Sequence, residues 1–448
     1  MREIDYNSKT IPINVVINEM LKFPNDNLSV LYNVKPKAVG KEMCESITSY
    51  IIRLAREHNV LVGTLIKKVV APMLNNKYIL NSSIYGGNRF YDGAKSLNSF
   101  DKNALEFTRV LGLLTKRTDI KDTTLIEIKD LISSRDLLNS NLAWCPLCLE
   151  KWEEDTVYYP LIWFFKAVKV CAQHNCELQD SCCSCGQHLP ILHRKSLIGY
   201  CPYCNKWLGA SVPKEIKNNI ELLKAKEVST LIANRSFLAQ KYNKEFISYA
   251  LLQSINCYTN GNLAEFARLV NIPKVTMWDW VYGGRLPSIG KILDICCSIN
   301  IPLMQFLNGD FQLNQKLNTK TEQKREGEIL IRREINQQEL QRKLEAFISN
   351  EPSFSLSKVS RILGYDRKVL MANFPEICSL IVDRYKHYCI QQKGKRDLEL
   401  IRSIDQAVKF LYENEVYPSR REVERILDKP GLLHEKQMRE AWLKMLLK

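Results

Sequence analysis

Eight side chains between positions 145 and 204 can bind a metal, and their spacing is regular. Cys145-Pro-Leu-Cys148, Cys171-Ala-Gln-His174, Cys182-Cys-Ser-Cys185 and Cys201-Pro-Tyr-Cys204 each separate two ligands by two residues. That gap lets a tight turn aim both side chains at one ion. Two such turns complete a tetrahedral shell, and thiolates with one imidazole suit zinc. Eight ligands make two closed shells, so two structural Zn2+ ions are expected. Chain order offers the simplest pairing: Cys145, Cys148, Cys171 and His174 around one ion, Cys182, Cys185, Cys201 and Cys204 around the other. The spacing also allows an interleaved pairing, the first pair with the third. Cys176, Cys183, His188 and His193 fall outside the four pairs and read as bystanders.

Closed shells argue against metal catalysis, which keeps one coordination position for water. A zinc deaminase needs His-x-Glu followed by Pro-Cys-x-x-Cys, and a zinc protease needs His-Glu-x-x-His. Neither occurs; His434-Glu435 is followed by no second histidine. The Gly-rich stretch Tyr85–Ser96 resembles a phosphate-binding loop, but Ala94 separates its last glycine from Lys95, so no nucleotide site is expected. No catalytic constellation emerges, and the chain reads as a non-enzyme whose metals staple small folds.

The elements that position these ligands read as mainly α. Residues 1–140 form an N-terminal helical domain, in which Ile47, Tyr50, Ile51 and Leu54 recur at helical spacing and Arg53, Arg56 and Glu57 supply the wet face. Two zinc-ribbon-like modules occupy 141–210. Residues 211–311 hold a helical segment and a first helix-turn-helix domain: a short helix around Phe266, a turn at Asn271-Ile272, a second helix to about Tyr282, and a third opened by Pro287-Ser288. Residues 312–350 read as a charged helical linker, mostly solvated. A second helix-turn-helix comes next at 351–395, with Leu356, Val359 and Leu363 inward, Gly364 breaking the helix and Asp366 capping the next. A third closes the chain at 396–448, with Ser419 and Glu422 as a capping box and a last helix from His434 to Leu447.

The 448 residues carry 64 Lys+Arg against 49 Asp+Glu, a formal charge of +15. From Val212 onward there are 38 basic and 28 acidic residues, so +10 of the excess lies in the helical C-terminal part. A basic excess of this size suits a polyanionic partner, double-stranded DNA before an anionic membrane. The candidate DNA contacts are Lys274, Thr276, Trp278 and Arg285 in the first helix pair, Arg367, Lys368 and Asn373 in the second, and Arg420, Arg421, Lys436 and Arg439 in the third. The polar N-terminus has no signal-peptide pattern and no run reaches the ~18 apolar residues that span a bilayer. A cytoplasmic, DNA-associated protein is expected.

Glu45-Ser46, Ser49 and Arg53-Leu-Ala55, followed by Cys145-Pro-Leu-Cys148-Leu, Trp163 and the three later ligand pairs, resemble the TniQ/TnsD family of transposon target selectors. The phrases LSKVSRILGYDRKVLMANFPE and YPSRREVERIL look most like the TnsD branch. The resemblance implies a bacterial protein that binds a target site and recruits a TnsC-like AAA+ ATPase, which engages the transposase. Its alternative is an adaptor carried by a guide-RNA CRISPR effector complex, with site choice delegated to the guide. The family often places glycine after the histidine ligand; here Asn175 stands there. A stand-alone transcription regulator is a further reading, one that leaves the N-terminal half without a task.

Overall fold

The computed structural model describes residues 29–74, 79, 89–152, 156–216, 218–309, 311, 337–349 and 353–447. They fall into two compact units, within 1–320 and 321–448. The linker expectation for 312–336, and that for the start of the Gly-rich stretch, lie outside the described residues. Short helical turns are left unlabelled below.

In the first unit, α1 (Ile47–Glu57) starts at Ser46, whose side chain accepts the Ser49 N–H. Ile47, Tyr50, Ile51 and Leu54 are buried as the periodicity requires. Arg53 departs from the expected wet face: it is 8% exposed, with Nη1 2.5 Å from Glu45 Oε2. The cause is Glu45, a fully buried carboxyl that needs compensation. Besides Arg53, it accepts the Ser49 hydroxyl at 2.8 Å and the Lys37 N–H at 3.0 Å. Burial pushes the Glu45 carboxyl up and Arg53 opposes that shift. Ser46 and Ser49 also grip one residue far along the chain. The Ser46 N–H and hydroxyl both donate to the Tyr159 carbonyl at 3.0 Å, and the Tyr159 N–H donates to Ser49 Oγ at 2.9 Å. The Glu45, Ser46, Ser49 and Arg53 positions therefore fasten α1 to the segment between the first two ligand pairs.

Helical turns Val62–Leu65, Ile66–Val70 and Ala71–Met73 come next, then α2 (Lys102–Thr115). Residues Arg89–Asp92 and Ala94–Asn98 of the Gly-rich stretch form helical turns rather than an open loop. The ligand region contributes α3 (Pro146–Lys151) and a two-residue antiparallel ladder of β1 (Val170–Cys171) and β2 (Cys176–Glu177), in which Cys171 faces Cys176. Helices α4 (Asn219–Ala233), α5 (Arg235–Lys241) and α6 (Lys244–Thr259) lead to the first helix pair, α7 (Leu263–Leu269) and α8 (Lys274–Val281). Asn271, at φ 53°, makes the turn between them. Then come α9 (Ile289–Ile299), preceded by Ser288, and α10 (Leu303–Asn308).

One continuous apolar cluster runs through this unit from Leu31 to Leu307 and includes Cys145, Cys148, Cys171, Cys182 and Cys201. The ligand region is thus part of a shared core, not a separate pair of beads. Arg235 of α5 shows the same integration: almost fully buried, it donates to the Asp122 carbonyl, lies 3.3 Å from the Cys44 sulfur and pairs with Glu127 at 3.4 Å.

The second unit has two small cores. Helix α11 (Gln337–Ser349), inside the expected linker, buries Leu340 and Leu344 against the second helix pair, α12 (Leu356–Leu363) and α13 (Arg367–Asn373). An apolar stripe on an otherwise charged helix suffices for this packing. Gly364, at φ 72°, and Asp366, whose side chain accepts the Lys368 N–H at 2.7 Å, make the turn. Helix α14 (Pro375–Glu413) then runs for 39 residues, across the boundary expected at 395/396. Its first part places Cys378 and Ile381 in one core, and its last part places Leu400, Ile404, Ala407, Val408 and Leu411 in the other. The second core is completed by Val423 of α15 (Arg420–Ile426), Leu432 and Leu433, and Met438 of α16 (Lys436–Leu446). The final helix begins two residues later than expected, because Leu432–His434 forms a 3-10 turn. Ser419 caps α15, but the Glu422 carboxylate pairs with Arg425, leaving the capping box half made.

Candidate metal centres

Three of the four ligand pairs share one local design. After the second ligand the backbone turns left-handed, at Asn175 (φ 49°), Gly186 (φ 66°) and Asn205 (φ 61°). The N–H of that residue bonds the carbonyl of the first ligand: Asn175 to Cys171 at 2.9 Å, Gly186 to Cys182 at 2.8 Å, Asn205 to Cys201 at 2.8 Å. Asparagine and glycine are the residues that enter this region most readily, so Asn175 makes the turn that Gly186 makes in the second cluster. The fourth pair uses a helix start instead. Cys145 is the N-cap of α3, Pro146 occupies its first turn, and the Cys145 sulfur accepts the Cys148 N–H at 3.4 Å.

These turns gather the ligands in chain order. Cys145, Cys148, Cys171 and His174 form one group and Cys182, Cys185, Cys201 and Cys204 the other, each with all ligand atoms within 4.8 Å of one another. A tetrahedral zinc with the usual bond lengths sets sulfurs ~3.8 Å apart and a nitrogen ~3.5 Å from a sulfur. In the first group the Cys148 and Cys171 sulfurs are 3.7 Å apart. His174 Nδ1 lies 3.5, 3.2 and 3.7 Å from the sulfurs of Cys145, Cys148 and Cys171. In the second group Cys182 to Cys204 is 3.6 Å and Cys185 to Cys201 is 3.7 Å. All seven cysteines among them are unbridged. Both clusters therefore fit a tetrahedral ion and can hold a metal.

Electrostatics point the same way. Hydrogen bonds from Cys148 and Cys171 pull the Cys145 thiol down to about 3, while the same contacts drive Cys148 far up and raise Cys171. Burial pushes Cys185 up to about 11 and raises Cys201 as well. Protein groups alone keep most of these thiols protonated, and a divalent cation supplies the charge that lets them ionise together.

Cys176, expected to be a bystander, touches the first centre. Its sulfur is 3.5 Å from Cys145, because the β1–β2 register sets it opposite Cys171. Nothing in the spacing of the pairs signals that contact. Cys183 is exposed, and the His188 side chain faces Asp180 instead of a ligand cluster. One tryptophan ties the two ligand regions together, the Trp144 indole N–H donating to the Leu208 carbonyl at 3.3 Å, while Trp207 packs beside the second centre against Gly199 and Gly209.

The candidate DNA contacts are distributed over three helix pairs. Lys274 and Trp278 are exposed on α8, Thr276 is half-buried there, and Arg285, just beyond, pairs with Asp279 at 3.3 Å. Arg367 and Lys368 are exposed on the first turn of α13; the Asn373 side chain donates to its own helix at Val369. Arg421 and Arg439 are exposed, Arg420 is half-buried, and Lys436 pairs with Glu440 at 3.7 Å. Among the described residues no helix is long and apolar enough to cross a membrane.

The TniQ family model matches residues 36–178. The match begins before α1, takes in the Glu45–Ser49 clamp and ends just after the first metal cluster. It supports the TniQ family and, with it, a part in transposition as a DNA-binding or adaptor protein. None of the curated proteins matches the chain.

Proposed function

We propose that this protein selects the insertion site of a transposon: it reads a duplex DNA site and recruits a TnsC-like AAA+ ATPase, which engages the transposase. The TniQ match over 36–178 carries this reading. In it, both clusters hold Zn2+ as structural ions, and the ligand region welds the N-terminal helices to the helices on its C-terminal side. The three helix pairs act as helix-turn-helix readers, the arrangement of the TnsD branch. Phosphate contacts supply affinity and side chains in the major groove supply discrimination. One such reader covers a few base pairs; a series of them in one chain covers a long asymmetric site. The role requires no catalytic residue of this chain, since hydrolysis and strand transfer belong to its partners, and it places the protein with the DNA in the bacterial cytoplasm.

A second reading, the adaptor of a guide-RNA CRISPR effector complex, draws support from α8. Val275, Trp278 and Tyr282 are 75%, 51% and 58% exposed and succeed one another at helical spacing. An exposed apolar stripe of this kind suits a protein groove better than base edges. The deciding experiment incubates the purified full chain with fragmented host DNA at moderate salt and sequences what is retained. One sharply enriched locus upholds the selector; salt-sensitive retention without a preferred sequence upholds the adaptor. In the selector reading, Arg367→Ala with Lys368→Ala weakens target binding more than random-DNA binding; equal loss on both reassigns the pair to phosphates.

A further inference from the structure

Helix α14 runs bare between its two cores: no residue from Asp383 to Arg396 is buried. A helical stretch with no core of its own is ordinarily laced by opposite charges three or four residues apart. This one carries Arg384, Lys386, Lys393, Lys395 and Arg396 with no acid between the first and the last. Lys386 pairs with Asp383 at 2.9 Å, and Arg396 with Asp397 at 3.2 Å and Glu435 at 3.0 Å. Lys393 and Lys395 join no ion pair among the described residues. The bare stretch therefore holds an excess of positive charge that its own side chains leave unbalanced.

Helical spacing decides where that charge points. Steps of three and four residues trace one face of a helix. On that face Cys378 and Val382 pack in one core, and Leu400, Ile404 and Ala407 in the other. Lys386, Cys389, Lys393 and Arg396 continue the same steps from Val382 to Leu400, so they lie on the side from which both helix pairs rise. Arg396 marks the far wall, since its partner Glu435 immediately precedes α16. Lys395 falls on the opposite side of the helix. The two helix pairs and the stripe between them form a saddle whose floor is basic.

We propose that this saddle seats the backbone of duplex DNA, with Lys386 and Lys393 contacting phosphates between the second and third helix pairs; the inference rests on the function proposed above. Charge selects the occupant. A second copy of the helix would set cations against cations, and a flat bilayer is held off by the modules on either side. A duplex is a polyanionic rod that lies between them. The Lys386–Asp383 pair is solvent-exposed, and so weak enough to give way to a phosphate. Such contacts contribute affinity and register, not sequence preference.

The test uses the full chain. Duplex binding is measured against salt for wild type, the Lys386→Gln/Lys393→Gln pair, the charge-keeping Lys386→Arg/Lys393→Arg pair, and Lys395→Gln on the opposite side. The glutamine pair should bind target and random duplex alike roughly 10–100-fold more weakly and lower the salt slope by about two. The arginine pair and Lys395→Gln should stay close to wild type. All three lysines are exposed, so the melting temperature should not move in any variant. An unchanged slope in the glutamine pair overturns the saddle. So does a fall of about one in Lys395→Gln, which would reduce the effect to net charge. The outcomes also separate the saddle from the selector reading. A lowered slope in a chain with no preferred locus keeps the saddle and refutes the selector; a preferred locus with an unchanged slope does the reverse. A wild type that holds no duplex refutes both.

Discussion

Replacing Cys148 by serine removes one sulfur from the first centre and tests the ligand assignment directly. Cys148 is 1% exposed, on the first turn of α3, and its sulfur lies 3.2 Å from His174 Nδ1 and 3.7 Å from Cys171. Sulfurs 3.7 Å apart around a tetrahedral ion imply a metal–sulfur distance of ~2.3 Å, the zinc–thiolate value. Structural zinc contributes ~10–16 kcal/mol, so one ligand in four represents ~2.5–4 kcal/mol, or roughly 10²–10³-fold in metal affinity. A loss of that size is a large fraction of the ~5–15 kcal/mol that stabilises a domain. The assay is metal content and release to a graded chelator. Wild type should hold about two ions per chain. Cys148→Ser should release one of them at roughly 10²–10³-fold lower chelator strength and keep the other. Cys204→Ser should do the converse, because its sulfur sits in the other cluster, 3.6 Å from Cys182. Cys176 is the one thiol placed to step in, so the Cys148→Ser/Cys176→Ser pair should show the full effect. Unchanged zinc in that double variant, or loss of both ions at once from either single variant, would sink the assignment of two four-ligand centres.

Three further outcomes rest on named contacts. Asn175→Gly should leave the first centre intact, whereas Asn175→Val, forced to φ 49°, should lower stability by about 1–2 kcal/mol, read from denaturant midpoints. Gly199→Ala combines φ +79° with a methyl driven into the Trp207 ring and should cost about 2–4 kcal/mol, so an unaltered melting temperature would refute that packing. His434 is held neutral in the fold, down to about 4. Above its unfolded value of ~6.5 both states are neutral and nothing is lost; as pH falls from ~6.5 to ~4 the unfolded chain alone takes up the proton and stability declines. Discounted for its partial exposure, the loss is about 1–2 kcal/mol, and His434→Asn should flatten that part of the stability–pH curve.

The metal clusters are legible in the sequence because two-residue gaps fix local turns, and turns survive whatever surrounds them. The short helix pairs are legible for the same reason: Gly364, Asp366 and Ser419 are caps and breakers whose effect is local. The features that escape depend on distant partners. Arg53 has the side chain of a solvated helix face, yet a buried Glu45 eight residues earlier draws it inward. Cys176 reaches the first centre through strand register, not spacing. His434 is shielded from water only once the core around Leu432, Leu433 and Met438 is built. Helix α14 defeats the expected boundary because no residue near 395 stops a helix; Gly394 is tolerated in its exposed middle, and the apolar stripe resumes at Leu400.

That continuous helix makes the spacing of two small cores a property of residue count. From Ile381, in one core, to Leu400, in the other, nineteen residues of α-helix span ~28 Å, close to the ~34 Å of one duplex turn. The helix is therefore a ruler as well as a connection. It also sets an angle: each inserted residue lengthens it by only ~1.5 Å but swings one core by ~100° around the axis relative to the other. Insertions of one residue throw the two cores onto different faces, while seven residues, close to two full turns, restore the phase. Chain length between Ile381 and Leu400 is in this sense constrained by rotation far more tightly than by reach.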